Sequence, residues 1–185
     1  MPETADLVVL LDDDGAPIGT APREGVHTTD TPLHLAFSCH LVDDAGRTLV
    51  SRRALGKRSW PGVWTNSFCG HPRPDEAVED AVRRHGRHEL GIEVSDLAPL
   101  LPEFRYRAVD AAGVVENEVC PVFSARLAPG SPDPAPNPDE VAELAWVEVD
   151  DLLRMVERTP WALSPWLVGQ VEGLRRLARV VQPGP

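Results

Sequence analysis

Apolar runs separated by polar turns occupy the first third of the chain. Residues 6–21, DLVVLLDDDGAPIGTA, hold two short apolar segments on either side of a turn that contains Asp14 and Gly15. Residues 34–54 repeat this arrangement, with an Asp-Ala-Gly turn at positions 44–46. Short apolar runs bounded by such turn residues are typical of strands joined in hairpins. The pattern therefore predicts that this part of the chain builds a sheet.

The spacing of apolar residues becomes helical at residues 75–90, DEAVEDAVRRHGRHEL. One apolar stripe runs along this segment and consists of Ala77, Val78, Ala81 and Val82. Acidic residues crowd the first turns and Gly91 follows the last residue, and both features are preferred at helix ends. The sequence predicts a helix over residues 75–90.

The second half of the chain mixes strand and helix patterns. Strands are predicted at 104–110, 114–127 and 141–149, helices at 151–160 and 164–181, and a proline-dense surface loop at 129–139. Helices inserted among strands and following them indicate an α/β (α+β) domain with a central mixed β-sheet flanked by helices. A chain of 185 residues has the length of one domain, so we expect residues 1–185 to form a single unit.

The composition excludes several classes of protein. Apolar residues make up 42% of the chain and charged residues 25%, as in soluble globular proteins, and no apolar run is long enough for a membrane helix. The net charge of -11 argues against nucleic acid or an anionic membrane as partner, since both attract positively charged surfaces. Three cysteines cannot all pair within one chain, which favours free thiols in a reducing, cytoplasmic compartment.

Two carboxylates share one face of the predicted strand VVENEVC. Because side chains alternate along a strand, Glu116 and Glu118 lie on the same side and Asn117 lies on the other. Carboxylates so placed in an apolar strand repel each other unless a cation joins them. The alternative is a solvated strand face that carries no function.

Six histidines offer ligands for such a cation. His27, His34 and His71 combine with the two carboxylates into a plausible imidazole–carboxylate site for a transition metal such as zinc or manganese. The spacing of these residues along the chain does not prove that they converge. The other three histidines are alternative ligands: His40, His85 and His88.

Residues 70–92 resemble the Nudix pattern, G-x5-E-x7-R-E-U-x-E-E-x-G-U. The matching positions are Gly70, Glu76, Arg84, Glu89, Gly91 and Ile92. His85 and His88 stand where the pattern has glutamates, and Gly86 replaces an apolar residue. A pyrophosphate hydrolase of this family uses the acidic helix face to bind several magnesium ions. The remaining glutamate can hold one ion, so the resemblance implies a Nudix scaffold with impaired hydrolysis.

Longer stretches are similar to the type 1 isopentenyl diphosphate isomerases, Nudix members that interconvert isopentenyl and dimethylallyl diphosphate. These stretches are HTTDTPLHLAFS, LVSRRALGKRSWPGVWTNSFCGHP, RRHGRHELGIEV, FRYRAVDAAGVVENEVCPVF and TPWALSPW. Together they extend over roughly residues 7–170. Each motif alone is weak, but their joint occurrence in this order is specific.

The resemblance to this family implies two metal sites. One divalent metal, manganese or zinc, would be bound by His27, His34, His71, Glu116 and Glu118. A magnesium ion that binds the diphosphate would be held by Glu89 and by the backbone oxygen of Cys69. At positions 85 and 86, where the family is expected to have an arginine and a bulkier residue, this chain has His85 and Gly86.

The resemblance also implies substrate contacts and catalytic residues. Basic contacts to the diphosphate would come from Arg23, Arg53 and Lys57. The catalytic group would consist of Cys69 and Glu118 as the proton-transferring pair, Tyr106 beside Glu118, and Trp166 facing the hydrocarbon end of the substrate.

The chemistry of double-bond transposition requires residues of these types. An unactivated alkene is a poor base, so the reaction passes through a tertiary carbocation that needs a positioned acid and base, a dry pocket and an aromatic face. Trp64, Trp161 and Trp166 are candidates for the aromatic face, whereas Trp60 and Trp146 are expected to fill the core. A position at the N-terminus of the 75–90 helix would lower the pKa of the thiol of Cys69.

The resulting hypothesis is an isomerase of prenyl diphosphates that supplies isoprenoid precursors, with no nucleic-acid or membrane partner, as a monomer or weak homodimer. The acidic chain would meet its anionic substrate through magnesium and the basic segment SRRALGKR, residues 51–58. A Nudix-type diphosphate hydrolase and a non-catalytic metal-binding module are the two alternatives.

Overall fold

Two mixed β-sheets form the framework of the fold in a computed structural model that describes residues 6–181. In chain order the strands are β1 (Leu7–Leu11), β2 (Pro17–Pro22), β3 (His34–Leu35), β4 (Phe37–Val42), β5 (Arg47–Arg53), β6 (Trp64–Thr65), β7 (Phe68–Gly70), β8 (Val94–Leu101), β9 (Arg105–Val109), β10 (Val115–Val119), β11 (Val122–Leu127) and β12 (Val141–Glu148). The first sheet has the order β2-β1-β3-β10-β9, and the second has the order β12-β5-β4-β11-β8. The short strands β6 and β7 pair with β5 and β4.

Helices pack against these sheets. They are α1 (Arg23–Val26), α2 (Val78–Leu90), α3 (Val149–Arg158), α4 (Pro165–Gly169) and α5 (Val171–Val181), with a 3-10 turn at Pro160–Ala162 between α3 and α4. The predicted α+β class, with mixed sheet and flanking helices, is confirmed. The strands form two separate sheets, whereas the sequence predicted one central sheet. Within residues 6–181, no helix combines the length and hydropathy needed to span a bilayer.

The main core lies between α2 and the second sheet. Ala81 and Val82, from the apolar stripe of α2, are fully buried and belong to one cluster with Phe37, Leu41 and Phe68. A second cluster joins β5 to the C-terminal helices and contains Val50, Leu152, Val156, Leu163, Leu167 and Leu174. Burial of these side chains fixes the helices on the sheet.

Two segments pass from the first sheet to the second side by side. Strand β10 is parallel to β3, and β11 is parallel to β4, with Glu118 opposite His34 and Val122 opposite Ser38. Our prediction of one strand over 114–127 was wrong, because the segment changes sheets at Cys120 and Pro121. This change of sheet brings the end of β10 close to β7, where Ser38 of β4 pairs with Cys69.

Three other elements differ from the sequence prediction. Helix α2 begins at Val78 rather than at 75, and Asp75 has a left-handed φ of 63°. Strand β8, which the sequence did not predict, contains Pro99 and lies at the sheet edge, where proline is tolerated. The helix expected at 164–181 is divided at Gln170 into α4 and α5.

The proline-dense residues 129–139 form an irregular surface segment without a strand or helix. The segment returns along the C-terminal end of α2, where the backbone N–H groups of Ala135 and Asn137 donate to the carbonyls of Leu90 and Glu89, each at 2.8 Å. These bonds satisfy carbonyls that a helix end leaves free. The segment therefore helps to fix the end of α2 that carries Glu89.

Candidate active site

A cavity of about 520 Å³ contains nearly all of the side chains predicted to form a site. The predicted residues that line it are Arg23, His27, Arg53, Lys57, Cys69, His71, Glu89, Tyr106, Glu116, Glu118 and Trp166. His34 is fully buried and does not line the cavity. The fold therefore brings together residues from seven elements and their adjoining loops, which sequence spacing could not establish.

A cluster of three imidazoles and one carboxylate lies on one side of this cavity. Potential ligand atoms of His27, His34, His71 and Glu118 lie within 4.8 Å of one another. The Glu118 Oε1 atom is 3.5 Å from His34 Nε2 and 3.3 Å from His71 Nε2. The parallel register of β3 and β10 produces this arrangement, because it sets Glu118 directly beside His34.

Glu116 lies at the edge of the cluster. Its Oε2 atom is 2.8 Å from His27 Nε2, and its other oxygen accepts a hydrogen bond from the hydroxyl of Ser59. Glu118 also reaches His27, with 3.9 Å between Oε1 and Nε2. Both carboxylates therefore face the same imidazole, as alternation along β10 predicts.

The donor set of the cluster fits a divalent transition metal. Three imidazole nitrogens and a carboxylate oxygen are ligands that zinc and manganese accept. His27 Nε2 is buried and forms no hydrogen bond of acceptable geometry, although the Glu116 oxygen is near. A buried polar atom without a partner is costly, and a cation between these groups would satisfy it.

The proton affinities of the cluster reflect its mutual contacts. Burial alone would lower the pKa of His27, but the neighbouring carboxylates of Glu116 and Glu118 outweigh it and raise that pKa to about 9. Burial would raise the pKa of Glu118, but its contacts with His27, His34 and His71 hold that pKa well below its usual range. In the metal-free chain, a proton on His27 thus compensates the buried carboxylates.

Cys69 lies on β7 and not at the N-terminus of a helix, so our prediction of its position was wrong. Helix α2 begins nine positions later, at Val78, so Cys69 is not in its first turn, where the dipole was expected to act. Burial raises the pKa of Cys69 to about 12, against the opposing effect of the hydrogen bond with Ser38. The predicted lowering of the thiol pKa is therefore also wrong, and Cys69 keeps its proton at neutral pH.

Aromatic rings form another side of the cavity. Tyr106 pairs with Glu118 across β9 and β10, and its ring lies 5.7 Å from that of Trp166. Trp60, which we expected in the core, makes an edge contact with Trp166 at 5.6 Å. Trp161 is 84% exposed and lies away from the cavity. Of the three tryptophans predicted as an aromatic face, Trp166 is the one that lines the cavity.

Each predicted basic residue reaches the cavity and has a partner there. Arg53 donates from Nε and Nη2 to the carbonyl of Ser59, and its guanidinium lies 5.3 Å from the centre of the Trp166 ring. Lys57 forms an ion pair with Glu140, and Arg23 pairs with Asp6. An anion that binds here would compete with these carboxylates for the basic groups.

The sequence model of the NUDIX domain matches residues 32–167. A protein of Agromyces mediolanus named isopentenyl-diphosphate Delta-isomerase is 62% identical over 169 residues, which cover 91% of this chain and 81% of that protein. A protein of the same name from Klebsiella pneumoniae is 53% identical, with 89% of this chain and 88% of that protein covered. The chain belongs to the isopentenyl-diphosphate Delta-isomerase family of Nudix proteins. The predicted family is thus confirmed.

Solved structures share this fold. A Deinococcus radiodurans protein superposes with a TM-score of 0.69 at 21% identity, covering 94% of this chain and 99% of that one. A MutT Nudix hydrolase from Burkholderia pseudomallei gives a TM-score of 0.58 at 26% identity, with 76% of this chain and 97% of that one covered. These structures resemble this chain in the two-sheet scaffold, and the resemblance does not show the chemistry of the site.

Helix α2 carries the Nudix pattern of this isomerase-family chain. At the glutamate positions of that pattern, one carboxylate, that of Glu89, faces the cavity. Glu89 Oε1 is 2.9 Å from His85 Nδ1. His88 is mostly exposed, with 3.8 Å between its Nε2 and an oxygen of Glu140. Arg84 binds both oxygens of Glu76 and donates to the carbonyl of His71, so this Nudix pair holds the loop that carries His71.

Sequence reasoning missed three polar residues that support the isomerase-family site. Ser59 binds Glu116, Glu140 pairs with Lys57, and Asn66 binds the thiol of Cys69 at 3.3 Å. Asn66 lies within the family motif TNSFCGHP, so its motif membership could have indicated a role. Ser59 lies in the same family stretch as Asn66, but its contact with Glu116 and that of Glu140 with Lys57 join residues 57 and 83 positions apart, which a local pattern does not reveal.

Proposed function

We propose that this chain interconverts isopentenyl diphosphate and dimethylallyl diphosphate. The observation that carries the proposal is the convergence of the Cys69 thiol, the Glu118 carboxylate and the Trp166 ring on one cavity beside basic residues. The names of relatives that are 53–62% identical to this chain support the same activity. A supply of isoprenoid precursors in the cytoplasm, by a monomer or weak homodimer, is part of the proposal.

The proton states of Cys69 and Glu118 support the direction of transfer. A thiol with a raised pKa holds a proton that it can donate, and a carboxylate with a lowered pKa can accept one. Cys69 gives its proton to C4 of isopentenyl diphosphate, and the positive charge forms at C3. Glu118 then takes a proton from C2, so the double bond moves from C3–C4 to C2–C3. Cys69 regains a proton and Glu118 loses one before the next turnover.

The aromatic rings stabilise the cation and exclude water. Trp166 is 2% exposed, its ring lies 5.7 Å from that of Tyr106, and Tyr106 pairs with Glu118, so the hydrocarbon end of the substrate would lie against these rings. A desolvated cation over a tryptophan face gains about 2 kcal/mol. Exclusion of water prevents capture of the carbocation as an alcohol.

Charged groups at the cavity mouth bind the diphosphate. Arg23, Arg53 and Lys57 supply positive charge, and binding of the substrate draws them from their present carboxylate and carbonyl partners. Glu89, with the backbone oxygen of Cys69, would hold a magnesium ion that neutralises the diphosphate. These contacts place the reactive carbons without taking part in proton transfer.

The histidine cluster would hold manganese or zinc through His27, His34, His71 and Glu118, with Glu116 beside them. When bound, the metal supplies positive charge that holds Glu118 ionised and fixed in orientation. The imidazoles keep the carboxylate pointed toward the cavity, because each of them contacts one of its oxygens.

Conversion of isopentenyl diphosphate by the purified chain tests the proposal. With magnesium and either manganese or zinc, in heavy water, we expect dimethylallyl diphosphate that contains deuterium. Cys69→Ala and Glu118→Gln should each reduce kcat by roughly 1000-fold, within the range of general acid–base contributions. Cys39→Ala is the matched control, because this buried thiol lies in the core cluster and not on the cavity.

Two outcomes would contradict the isomerase assignment. Release of inorganic phosphate or diphosphate without the allylic isomer would favour the Nudix hydrolase. Turnover that survives in both Cys69→Ala and Glu118→Gln would remove their proposed roles. A non-catalytic metal-binding module predicts no product of either kind and bound manganese or zinc that depends on His34.

A further inference from the structure

A buried polar network contacts the thiol of Cys69. The sulfur atom is 3.3 Å from Asn66 Oδ1 and 3.4 Å from Ser38 Oγ. Ser38 is also 3.4 Å from the sulfur of Cys120. Ser38 and Asn66 are fully buried, so neither can exchange its partners for water. The direction of each hydrogen bond in the network therefore matters for the state of the thiol.

The orientation of the Asn66 amide is fixed by the backbone. Its Nδ2 atom donates to the carbonyls of Cys39 and Phe68, at 3.1 Å and 2.8 Å. Its Oδ1 atom therefore faces the other way and accepts from Trp166 Nε1 at 3.1 Å. An amide oxygen cannot donate, so the contact with Cys69 requires the thiol to donate its proton to Asn66.

The orientation of Ser38 is fixed from the opposite side by Gln170. The Gln170 Nε2 atom donates to Ser38 Oγ at 2.9 Å, and Gln170 Oε1 accepts from His40 Nε2 at 2.9 Å. Burial lowers the pKa of His40 to about 4, so its ring is neutral and carries one proton, placed on Nε2 by this bond. Because Ser38 already accepts from Gln170, its own hydroxyl proton is free to point at a sulfur atom.

We propose that Ser38, oriented by Gln170, is a positioning residue that donates a hydrogen bond to the Cys69 sulfur when the thiol has given up its proton. The inference rests on the proposed isomerase function of Cys69. In the protonated state, Asn66 accepts from the thiol. After proton transfer that bond is lost, and the Ser38 hydroxyl turns fully to Cys69 and stabilises the thiolate. Cys120 offers the alternative acceptor for Ser38 while Cys69 remains protonated.

Kinetics of three variants test this role. Ser38→Ala should lower kcat by roughly tenfold to 100-fold, the loss expected for one hydrogen bond to a charged group, and should leave KM within about twofold. Gln170→Met removes the donor that orients Ser38, so it should also lower kcat. The double variant should lose no more than Ser38→Ala alone, because both changes act through one bond.

Ser67→Ala is the matched control. The Ser67 hydroxyl is fully buried as well, but it bonds to the backbone of Leu41 and Leu49 and does not contact a sulfur atom. We expect it to lower the melting temperature while kcat stays near that of the native chain. Equal losses of kcat in Ser38→Ala and Ser67→Ala would overturn the proposal, as would an unchanged kcat in Ser38→Ala.

An infrared measurement that needs no turnover separates this inference from the proposed function. In a chain that carries Cys39→Ala and Cys120→Ala, Cys69 is the remaining thiol and gives a single S–H stretching band. Adding Ser38→Ala should shift that band to higher wavenumber, because the thiol donates more weakly to Asn66 once its sulfur accepts no bond. An unshifted band overturns the contact. A shifted band in a chain without isomerase activity supports the contact and contradicts the proposed function instead.

Discussion

Two side chains in the cavity, Cys69 and Glu118, have pKa values that their surroundings shift in opposite directions. Burial keeps the proton on Cys69, while three imidazoles keep it off Glu118. Tyr106, which pairs with Glu118 across β9 and β10, also stays protonated, since burial and the nearby Glu118 raise its pKa well above the usual value. An acid and a base that coexist at neutral pH are what a protonation–deprotonation sequence needs.

Replacement of Trp166 by phenylalanine tests the aromatic face at the scale of one side chain. Trp166→Phe keeps a ring but reduces its attraction for a cation and removes the bond from Nε1 to Asn66. We expect kcat to fall roughly tenfold, with a smaller change in KM, in steady-state assays with isopentenyl diphosphate. Trp161→Phe is the control and should behave as the native chain, because Trp161 is 84% exposed and outside the cavity.

A native kcat in Trp166→Phe would show that the cation does not lie against this ring. A similar loss in both variants would indicate a general effect of tryptophan removal on folding. Thermal unfolding of the two variants distinguishes that case, since only a loss of folded protein would lower both activities together.

At the scale of elements, β7 and α2 approach each other so closely that one position between them must be glycine. A Cβ atom on Gly70 would lie 2.4 Å from the ring of His85, well inside any real contact. His85 is held there by Phe37, at 5.4 Å between ring centres, and by Glu89. The strand that carries Cys69 and the helix that carries Glu89 are thus packed together through one imidazole.

Gly70→Ala is expected to destabilise the fold by about 1 to 3 kcal/mol, the usual result of overpacking, and to displace His85 from Glu89. Removing the ring in the same chain should relieve the clash. The double variant Gly70→Ala, His85→Ala should therefore be more stable than the sum of the two single changes predicts. Chemical denaturation of the four chains measures this coupling.

Gly19→Ala provides the comparison, because no atom lies within 4 Å of a Cβ at that position. Its free energy of unfolding should change by less than about 0.5 kcal/mol. If the effects of Gly70→Ala and His85→Ala simply add, the ring does not set the distance between β7 and α2.

The sequence predicted most elements because their patterns are local. The first hairpin has short apolar segments on either side of a turn, and helix α2 and the final helices have a periodic apolar face within a short segment. The change of sheet between β10 and β11 was missed because 114–127 is a continuous strand pattern, and only the pairing with β3 and β4 divides it. Strand β8 was missed because Asp96 and Pro99 are turn-type residues, which an edge strand tolerates.

The candidate site was likewise predictable where residue type or motif indicates a role, and not where tertiary contacts decide it. The ligand histidines and the E-x-E carboxylates were found from residue type and from motifs of the family, and the fold brings four of them together. Ser38 and Ser59 lie within the family stretches and Gln170 lies outside them, but the partners of all three are set by tertiary contacts that residue type does not reveal. The pKa of Cys69 was predicted in the wrong direction because a sequence motif does not reveal where a helix starts or how deeply a thiol is buried.

At the scale of the whole molecule, two buried histidines give the metal-free chain opposite dependences on pH. The folded-state pKa of His27 is about 9, above its ordinary 6.5, so its contribution is fully present below pH 6.5 and is lost as pH rises toward 9. The folded-state pKa of His40 is about 4, so its contribution is present above pH 6.5 and is lost as pH falls toward 4. Each effect is on the order of 3 kcal/mol.

The free energy of unfolding of chelator-treated protein should therefore have a maximum near pH 6.5. Denaturant titrations from pH 5 to pH 8.5 measure it. His27→Gln should flatten the decline above pH 6.5, and His40→Gln should reduce the decline below it. Added manganese or zinc should move the maximum to higher pH, because a metal bound by the cluster requires His27 without its proton. A profile that manganese and zinc leave unchanged would place the metal away from His27, and the cluster would then be a set of hydrogen-bonded histidines rather than a metal centre.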